Sequence, residues 1–204
     1  MPSRTGILLL VSGPSGSGKT TLCRRLADEQ EAHYSISCTT RAPRPGEMDG
    51  RDYFFLSHEE FAAKVERGEF LEHATVHQNF YGTLVSEVLH RIEQGIDVVM
   101  DIDVQGAAQV RHCAHPQIRA ALVDLFVMPA TDRELEARLT GRNTDSAEVI
   151  ALRLKNAMEE MSHWPEYQYR LLSTTREHDY LQFKALLLAE RLRVRRLNSL
   201  ATPS

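Results

Sequence analysis

The chain has 204 residues, of which 42% are hydrophobic and 25% are charged, a composition typical of a globular protein with one domain and an insertion or with two small domains. With a formal net charge of -4, the chain has no surplus of basic residues of the kind that nucleic-acid binding usually needs. We therefore expect single nucleotides rather than polymers as anionic ligands. The three cysteines show no C-x-x-C spacing, and no apolar segment approaches about 20 residues. We therefore expect a cytoplasmic protein without a disulfide framework, a zinc site, a membrane span or a nucleic-acid partner.

The first motif is a glycine-rich loop at residues 13–20, between an apolar segment at 7–11 that is typical of a buried strand and a helical segment at 18–30. The loop matches the pattern G-x-x-x-x-G-K-[ST] in full, and its glycines allow successive backbone NH groups to surround a polyphosphate. Lys19 adds a positive charge for the outer phosphates, and the Thr20 hydroxyl can ligate a magnesium ion at the helix N-terminus. The predicted ATP-binding residues are Gly13, Pro14, Ser15, Gly16, Ser17, Gly18, Lys19 and Thr20.

Residues 37–95 contain short, partly antiparallel elements, which indicate an inserted lobe. The predicted elements are, in chain order, a charged loop at 39–47, a strand at 53–56, a helix at 57–68, strands at 70–76 and 79–83, and a helix at 84–94. Prolines exclude a regular helix or central strand from the loop. Ser57 and Glu60 form a capping-box pattern that starts the first helix, and Gly95 follows the end of the second.

Apolar strands and helices alternate again in the C-terminal half, which indicates a doubly wound α/β core made of residues 1–36 and 96–204. The predicted elements are a strand at 97–102, a helix at 104–113, a strand at 122–128, a helix capped by Thr131 with Glu134, a helix containing Ile150, Leu154, Ala157 and Met161, a strand at 169–172, and a helix at 180–197. The last helix carries an apolar stripe of Leu181, Ala185, Leu188 and Leu192. The sequence does not determine the oligomeric state.

Arg41 and Arg44 lie three residues apart in the proline-stiffened loop. Such arginines are often only solvated surface charge. Here hydroxyl side chains surround them in the sequence, and Tyr53 and Tyr81 follow. Forked cations together with hydroxyls suit a phosphate monoester, so we predict a phosphate site in the lobe.

Glu72 lies in the predicted strand at 70–76, where alternation places it on the same face as Phe70 and Ala74 and opposite Leu71. An acid on an apolar strand face is either an edge charge or a ligand group. A carboxylate can accept two parallel hydrogen bonds from the ring NH and the exocyclic amine of guanine, which adenine does not offer. A buried acid here would therefore discriminate between the two purines.

Asp101 lies near the end of the predicted strand at 97–102, and Asp103 follows it directly. Ligands of open α/β sheets bind at the carboxyl ends of the strands, so a magnesium-associated acid belongs at this position. A helix N-cap role for Asp103 is also compatible with the pattern. We expect Asp101 to be the metal-associated residue.

Three arginines, Arg138, Arg142 and Arg153, lie around the glycine-containing segment 141–145. Arginines on a mobile flap can close over the phosphates and neutralise charge in the transition state. A solvated helix face explains their pattern nearly as well.

Several blocks in register resemble the guanylate kinases, the enzymes that transfer phosphate from ATP to GMP. They are the glycine-rich loop and residues 37–47, 52–55, 70–74, 79–83 and 101–106, and together they span residues 7 to about 165. The resemblance implies a core of the P-loop NTPase type, an inserted mixed α+β GMP-binding lobe, and a small lid around 138–150. It implies a transferase that converts ATP and GMP to ADP and GDP, with Mg²⁺ as cofactor and these two nucleotides as small-molecule partners.

The same resemblance implies roles for single residues. The GMP phosphate would be bound by Arg41, Arg44, Tyr53 and Tyr81, and guanine would be framed by Ser37, Glu72, Thr83 and Asp103, with Glu47 also in the GMP site. The catalytic residues acting on the transferred phosphoryl group would be Lys19, Arg138, Arg142 and Arg153. Magnesium would be held by Thr20 and the ATP phosphates, with Asp101 nearby through water.

The chain departs from the usual family pattern at three places. It has Asn143 after Gly141-Arg142, Ser173-Thr174-Thr175 in place of Asn-Asp-Asp, and Gln78 in place of a common glycine. Two alternatives to the kinase remain: a non-catalytic guanylate-kinase-like protein-binding module, and a related kinase acting on a ribose bisphosphate. The complete glycine-rich loop with its lysine disfavours the module, and the second alternative would not need Glu72.

Overall fold

The structure, a computed structural model, describes residues 4–76, 78–131 and 147–197. Its central sheet consists of β1 (Leu8–Ser12), β2 (His33–Tyr34), β7 (Val98–Asp101), β8 (Leu122–Pro129) and β9 (Tyr169–Ser173). The five strands are parallel and lie in the order β2-β7-β1-β8-β9. The glycine-rich loop follows the middle strand, so it lies at the carboxyl edge of the sheet where ligands of such folds bind.

Helices cover both faces of this sheet. The described helices are α1 (Lys19–Asp28), α2 (His58–Glu66), α3 (Val85–Glu93), α4 (Val104–Arg111), α5 (Pro116–Ala121), α6 (Ala147–Ser162) and α7 (Arg176–Arg191). Alternate side chains of β1 enter two buried clusters. Leu8 and Leu10 pack with residues of α3, α4 and α5, whereas Leu9 and Val11 pack with residues of α1 and α7. This two-sided core confirms the predicted doubly wound α/β architecture.

A second, mixed sheet consists of β3 (Cys38–Thr39), β4 (Phe54–Phe55), β5 (Phe70–Val76) and β6 (Asn79–Leu84), in the order β4-β3-β6-β5. Strand β3 pairs parallel with β4 and antiparallel with β6. Phe61 of α2 stacks on Phe70 and Phe80, with ring centroids 4.3 and 5.4 Å apart. These strands fall within 37–95, and the division into a core of 1–36 and 96–204 with a lobe at 37–95 stays a prediction.

Local sequence signals located several element boundaries correctly. At the start of α2, the Ser57 hydroxyl accepts from the Glu60 backbone NH while the Glu60 carboxylate accepts from the Ser57 backbone NH, which confirms the capping box. Gly95, just past α3, has a φ of 79°, as its predicted C-terminal position requires. The predicted helix that begins at Thr131 with Glu134 lies outside the described residues.

Three short elements escaped the sequence prediction. Strand β3 (Cys38–Thr39) is an inner strand of the second sheet and overlaps the start of the loop predicted at 39–47, whose prolines lie beyond Thr39. Strand β2 has only two residues and pairs with β7, so no period-two pattern could form within it. Helix α5 has six residues and begins at Pro116, which suits a first helical position. All three owe their formation mainly to tertiary contacts, because segments this short carry little periodicity of their own.

The prediction for the last helix was wrong in its bounds, which were given as 180–197. Helix α7 begins at Arg176, after the N-cap Thr175, and it ends at Arg191. The apolar stripe faces solvent, with Leu181, Leu188 and Leu192 being 66%, 46% and 78% exposed. The buried side chains are instead Tyr180, Phe183 and Leu187, which pack with β1 and α1 residues.

The hairpin of β5 and β6 contains two irregularities. The pairing register shifts between Phe70 and Glu72, and Phe70 and His73 both contact the Phe61 ring. Glu72 therefore lies on the opposite face from Phe70, because the irregularity interrupts the alternation that the sequence prediction assumed. At the turn, Gln78 has a φ of 68°, a conformation that favours glycine.

No helix in the described ranges is long and apolar enough to cross a membrane.

Candidate active site

The glycine-rich loop curls between β1 and α1 in a conformation that its glycines permit. Gly13 has a φ of 149°, and a Cβ atom there would lie 2.0 Å from the carbonyl oxygen of Val127. Gly18 has a φ of 95° and forms the N-cap of α1. The Ser17 backbone NH donates to the carbonyl oxygen of Pro14 at 3.1 Å. The loop thus places the positive end of α1 at the carboxyl edge of the sheet, which suits an anion.

Lys19 and Thr20 begin α1 and face different neighbours. Lys19 Nζ donates to the carbonyl oxygen of Pro14 at 3.4 Å, so its ammonium lies beside the loop. The Thr20 hydroxyl donates to Asp101 Oδ2 at the end of β7. A hydroxyl and a carboxylate are hard oxygen donors, and Mg²⁺ is commonly bound by one or two carboxylates together with substrate phosphates. This pair therefore fits a magnesium ion.

A cavity of about 630 Å³ opens on the loop and on α7. Its lining includes Thr20, Arg25, Ser173, Thr174 and Tyr180. The Arg25 guanidinium lies 3.9 Å from the centroid of the Tyr180 ring, which gives the cavity a flat cationic and aromatic wall. We call this space the donor cavity, because it is continuous with the glycine-rich loop.

Asp179 organises the far side of the donor cavity. Its carboxylate is buried and accepts from the Ser173 hydroxyl at 2.7 Å, from the Thr174 backbone NH at 2.8 Å and from the Thr174 hydroxyl at 3.2 Å. Three donors to one carboxylate fix the turn between β9 and α7. Both hydroxyls are therefore engaged with protein, and the turn presents a defined surface to the cavity.

A second cavity, of about 400 Å³, lies between the two sheets. Its lining is Thr20, Arg24, Tyr34, Ser35, Ser37, Glu47, Asp52, Tyr53, Glu72, Thr83, Met100, Asp101 and Ile102. The lining combines side chains of both sheets, and Thr20 belongs to this cavity as well as to the donor cavity. We call it the acceptor cavity.

One part of the acceptor cavity is a buried carboxylate with hydroxyl neighbours. Glu72 is 9% exposed, and the hydroxyls of Ser37 and Thr83 lie 3.2 Å apart beside it in the lining. Burial raises the pKa of Glu72 to about 7, the Thr83 hydrogen bond opposes this, and the Asp103 charge adds to it. A carboxylate that has lost its water is poised to gain from a ligand with two NH donors.

The first turn of α4 packs directly against Glu72. A Cβ atom on Gly106 would lie 3.3 Å from Glu72 Oε2 and 2.7 Å from Ile102 Cγ1, so glycine is required for this close approach. Asp103 Oδ1 accepts from the Gly106 backbone NH at 2.7 Å and is the N-cap of α4. Asp103 therefore has the N-cap role that the sequence left open. Its charge also contributes to raising the pKa of Glu72.

An arginine, a carboxylate and two tyrosines form a cluster beside the acceptor cavity. Arg41 Nη2 donates to both oxygens of Glu47, at 2.9 and 3.0 Å, and Arg44 donates its backbone NH to Glu47 Oε2 at 2.7 Å. The Tyr53 and Tyr81 rings meet edge to face, with centroids 6.1 Å apart. The Arg41 guanidinium lies 5.5 Å from the Tyr53 ring centroid. Its pKa is raised, chiefly by the hydrogen bond to Glu47.

Comparison with known proteins identifies the family. The guanylate kinase family model matches residues 5–190. A guanylate kinase of Cereibacter sphaeroides is 48% identical over 192 residues, which cover 94% of this chain and 90% of that protein. The chain belongs to the guanylate kinase family. The guanylate kinase of Paramagnetospirillum magneticum is also 48% identical over 192 residues, covering 94% of this chain and 88% of that one. The crystal structure of guanylate kinase from Anaplasma phagocytophilum has a TM-score of 0.75 and 32% identity, covering 98% of this chain and 94% of that chain.

In this member of the guanylate kinase family, most of the site residues predicted from the sequence lie at two neighbouring cavities. Ser37, Glu47, Tyr53, Glu72 and Thr83 line the acceptor cavity. Arg41 and Tyr81 lie beside it, whereas the described contact of Arg44 is made by its backbone. Arg138 and Arg142 lie outside the described residues, and Arg153 is placed only by its position in α6.

The guanylate kinase pattern did not point to several other cavity residues. Arg24, Tyr34 and Asp52 line the acceptor cavity, and Asp179 underlies the donor cavity. Tyr34 belongs to the two-residue strand that the sequence prediction missed. Asp179 carries a usable signal, because an acid in the first turn of a helix commonly bonds to the residues before that helix.

Proposed function

We propose that the protein is a guanylate kinase that transfers the terminal phosphate of ATP to GMP, giving ADP and GDP. The main support for this proposal is that Thr20 lines both the donor cavity and the acceptor cavity, so the two proposed nucleotide sites meet at this residue. A phosphoryl group held at the glycine-rich loop would therefore face the acceptor cavity. Transfer between two bound nucleotides requires this proximity.

The donor cavity is proposed to hold ATP. The backbone NH groups of residues 13–20 and the ammonium of Lys19 would bind its phosphates. The base would lie toward Arg25 and Tyr180, against the turn that Asp179 fixes. This arrangement is supported by the continuity of the loop and the cavity.

The acceptor cavity is proposed to hold GMP. Glu72 would accept from the ring NH and the exocyclic amine of guanine, with Ser37 and Thr83 framing the base and Asp103 acting through its charge. Arg41, Arg44, Glu47, Tyr53 and Tyr81 are proposed to form the phosphate side, where Arg41 would exchange its bond to Glu47 for the phosphate. Burial of Glu72 supports purine selection, because an unmatched base would leave this carboxyl group unpaired.

Mg²⁺ is the proposed cofactor, with Thr20 and Asp101 as the residues that would hold it together with the ATP phosphates. The ion would supply charge neutralisation for the transferred group. We propose that Lys19, together with Arg138, Arg142 and Arg153, stabilises charge during transfer. No protein nucleophile or general base is required, because the attacking phosphate is already an anion and the reaction depends on positioning and electrostatics.

We also propose residues 37–95 as the GMP-binding lobe, 138–150 as a lid, and the cytoplasm as the location. Three free cysteines, two of them buried, agree with a reducing compartment.

The proposed function is tested by measuring ADP release in a coupled assay with GMP, AMP, UMP or buffer alone as the acceptor. We expect ADP release with GMP and only background with the other acceptors. Omission of Mg²⁺ should abolish the reaction, and its restoration should recover it. Flat traces with every acceptor would refute the proposal and favour the alternative of a non-catalytic protein-binding module.

A further inference from the structure

We infer that Arg24, a residue of α1, binds the phosphate of the acceptor nucleotide. The inference rests on the proposed function, because it names a further residue of the same acceptor site. It assigns a phosphate ligand to the helix that also carries Lys19 and Thr20.

The position of Arg24 follows from helix geometry. It lies four residues after Thr20, so both side chains share one face of α1 and both line the acceptor cavity. The Arg24 guanidinium lies 5.5 Å from the centroid of the Tyr34 ring. Tyr34 belongs to β2 at the edge of the central sheet, so this contact directs an arginine from the donor helix into the acceptor cavity.

The charges around the cavity favour an anion at Arg24. Among the described lining residues, Arg24 is the one cation, and it forms no ion pair with any described carboxylate. The neighbouring Arg25 forms ion pairs with Glu29 and Glu177, and it lines the donor cavity rather than the acceptor cavity. Arg41 is likewise held by Glu47. Arg24 thus retains its full hydrogen-bonding capacity for a ligand.

The lining carboxylates make such a cation necessary. Four of them, Glu47, Asp52, Glu72 and Asp101, border the acceptor cavity. Glu47 is paired with Arg41, and Asp52 is paired with the exposed Arg51 at 3.5 Å. A nucleoside monophosphate brings a further charge of about -2 into this space. Like charges at short range repel unless a cation lies between them. The forked guanidinium of Arg24 can bind two phosphate oxygens and reduce this repulsion.

The surroundings of Tyr34 indicate the phosphate rather than the base. Burial is the main factor that raises the pKa of Tyr34, and the charges of Asp101 and Tyr53 add to it, so both lie near the ring on which Arg24 packs. Tyr53 in turn contacts Arg41. Glu72 instead contacts Thr83 and the first turn of α4. Arg24 therefore lies with the Arg41 and Tyr53 group, beside the Thr20 and Asp101 pair.

The test compares binding of GMP and guanosine to wild-type protein and to Arg24→Gln by titration calorimetry without a donor nucleotide. We expect the dissociation constant for GMP to rise by roughly 10- to 100-fold, since a charged hydrogen-bonding partner is lost, while that for guanosine changes by less than about twofold. Arg24→Lys should keep part of the GMP affinity. In steady-state assays, the KM for ATP should stay unchanged.

Arg67→Gln is the matched control, because it removes the same charge from an exposed side chain that does not line the acceptor cavity. Arg24 is itself exposed, so the variant should keep the wild-type melting temperature; should it unfold, Arg24→Met repeats the test with a stem that still packs on Tyr34. GMP binding unchanged in Arg24→Gln, or an equal loss for guanosine, would overturn the inference. Wild-type protein that fails to phosphorylate GMP would instead refute the proposed function, whatever Arg24 does.

Discussion

The donor side of this site is lined mainly by backbone groups, whereas the acceptor side is lined mainly by side chains. The donor side is mostly backbone: the loop at 13–20 wraps onto α1, and Gly13 lies against the carbonyl oxygen of Val127. The acceptor side consists of side chains from several elements, among them Thr83 of the second sheet, Asp101 of the central sheet and Arg24 of α1. Backbone groups bind any polyphosphate, whereas side chains distinguish one small ligand from another.

The two sides also differ in the charged and polar groups that they present to a ligand. The loop and the start of α1 present NH groups and Lys19 to an anion. The acceptor cavity contains a carboxyl group whose pKa is raised by burial, Glu72, and an arginine already paired with a carboxylate, Arg41. The donor side is thus ready for its ligand, while the acceptor side gains its pairing when the ligand enters. Each kinetic prediction below acts on one side and leaves the other as a control, and the stability predictions complement them.

The largest effect is expected from Lys19→Ala. We expect kcat to fall by about 10³-fold, roughly 4 kcal/mol of transition-state stabilisation, because the cation nearest the loop is lost. GMP affinity, measured without ATP, should change little. Lys64→Ala, a lysine paired with Glu69, is the control and should keep wild-type kcat. A Lys19→Ala enzyme with kcat within about threefold of wild type would exclude the role proposed for this residue.

Glu72→Gln should break the acceptor side alone. The amide accepts with one oxygen and adds a donor, so we expect kcat/KM for GMP to fall by about 100-fold while the low activity with AMP rises or stays constant. Glu59→Gln in α2, which is exposed, is the control. Unchanged preference for GMP over AMP in steady-state kinetics would remove Glu72 from the guanine site.

The pH dependence of GMP binding tests the same carboxyl group without mutation. Burial raises the pKa of Glu72 to about 7, so the carboxylate form that can accept two NH bonds is lost as the pH falls through about 7. The KM for GMP should rise by up to about tenfold per pH unit below that value, while the KM for ATP follows a different profile. The GMP phosphate also titrates, so the profile of Glu72→Gln serves as the reference. Parallel profiles of wild type and variant would contradict this assignment.

Stability gives a complementary prediction for Glu72. Its folded-state pKa lies above the usual value of about 4.5, so the folded protein binds more protons than the unfolded chain between these values. The stabilising contribution is present at low pH and is lost as the pH rises through about 7. At pH 8, Glu72→Gln should therefore be at least as stable as wild type in urea unfolding, although it binds GMP more weakly. A clear loss of stability would show that the carboxylate has a structural partner.

Asp179→Asn should weaken the donor side moderately. The asparagine retains one acceptor oxygen for three donors, so the turn containing Ser173 and Thr174 loses part of its order. We expect the KM for ATP to rise by about 3- to 10-fold, a stability loss of about 1–3 kcal/mol, and an unchanged KM for GMP. Asp28→Asn, at the exposed end of α1, is the control. An equal rise in both KM values would indicate a global effect rather than a donor-side one.

The smallest effect is expected far from both cavities, from Gln78→Gly. Gln78 has a φ of 68°, and glycine relieves about 1–2 kcal/mol of backbone strain while increasing the entropy of the unfolded chain by roughly half that amount. The free energy of unfolding should rise by about 0.5 kcal/mol, with unchanged kinetics. Gln78→Ala, which keeps the strain, is the comparison. A lower stability of the glycine variant than of the alanine variant would contradict the strain argument.

Local signals in the sequence located much of the fold. The loop at 13–20, the capping box of Ser57 and Glu60, and Gly95 after α3 were found because each depends on contacts within a few residues. The gap between the predicted strands at 70–76 and 79–83 located the turn at Gln78 too, although the backbone conformation of this residue was visible only in the structure. The apolar stripe of the last helix was recognised in the sequence, but only the structure showed that it faces solvent, because leucine spacing alone does not distinguish a buried face from an exposed one.

Long-range geometry decided the rest of the candidate site. Ser37 and Thr83 are 46 residues apart in the chain, yet their hydroxyls lie 3.2 Å apart. Register could not be predicted where the pairing of β5 shifts beside Glu72. Arg24 looked like any charged residue on an exposed helix face until the structure placed it over Tyr34 of a two-residue strand.

The sequence by itself determined the polyphosphate loop, the alternation of strands and helices, and the family resemblance, because these depend on residue spacing along a chain with fixed helix and strand periods. Only the tertiary structure decided which side chains share the acceptor cavity, that Glu72 is buried with a raised pKa, and that Arg24 belongs to that cavity. The physical reason is that desolvation and charge pairing depend on distances between elements remote in sequence, which packing of the two sheets fixes and local propensity does not.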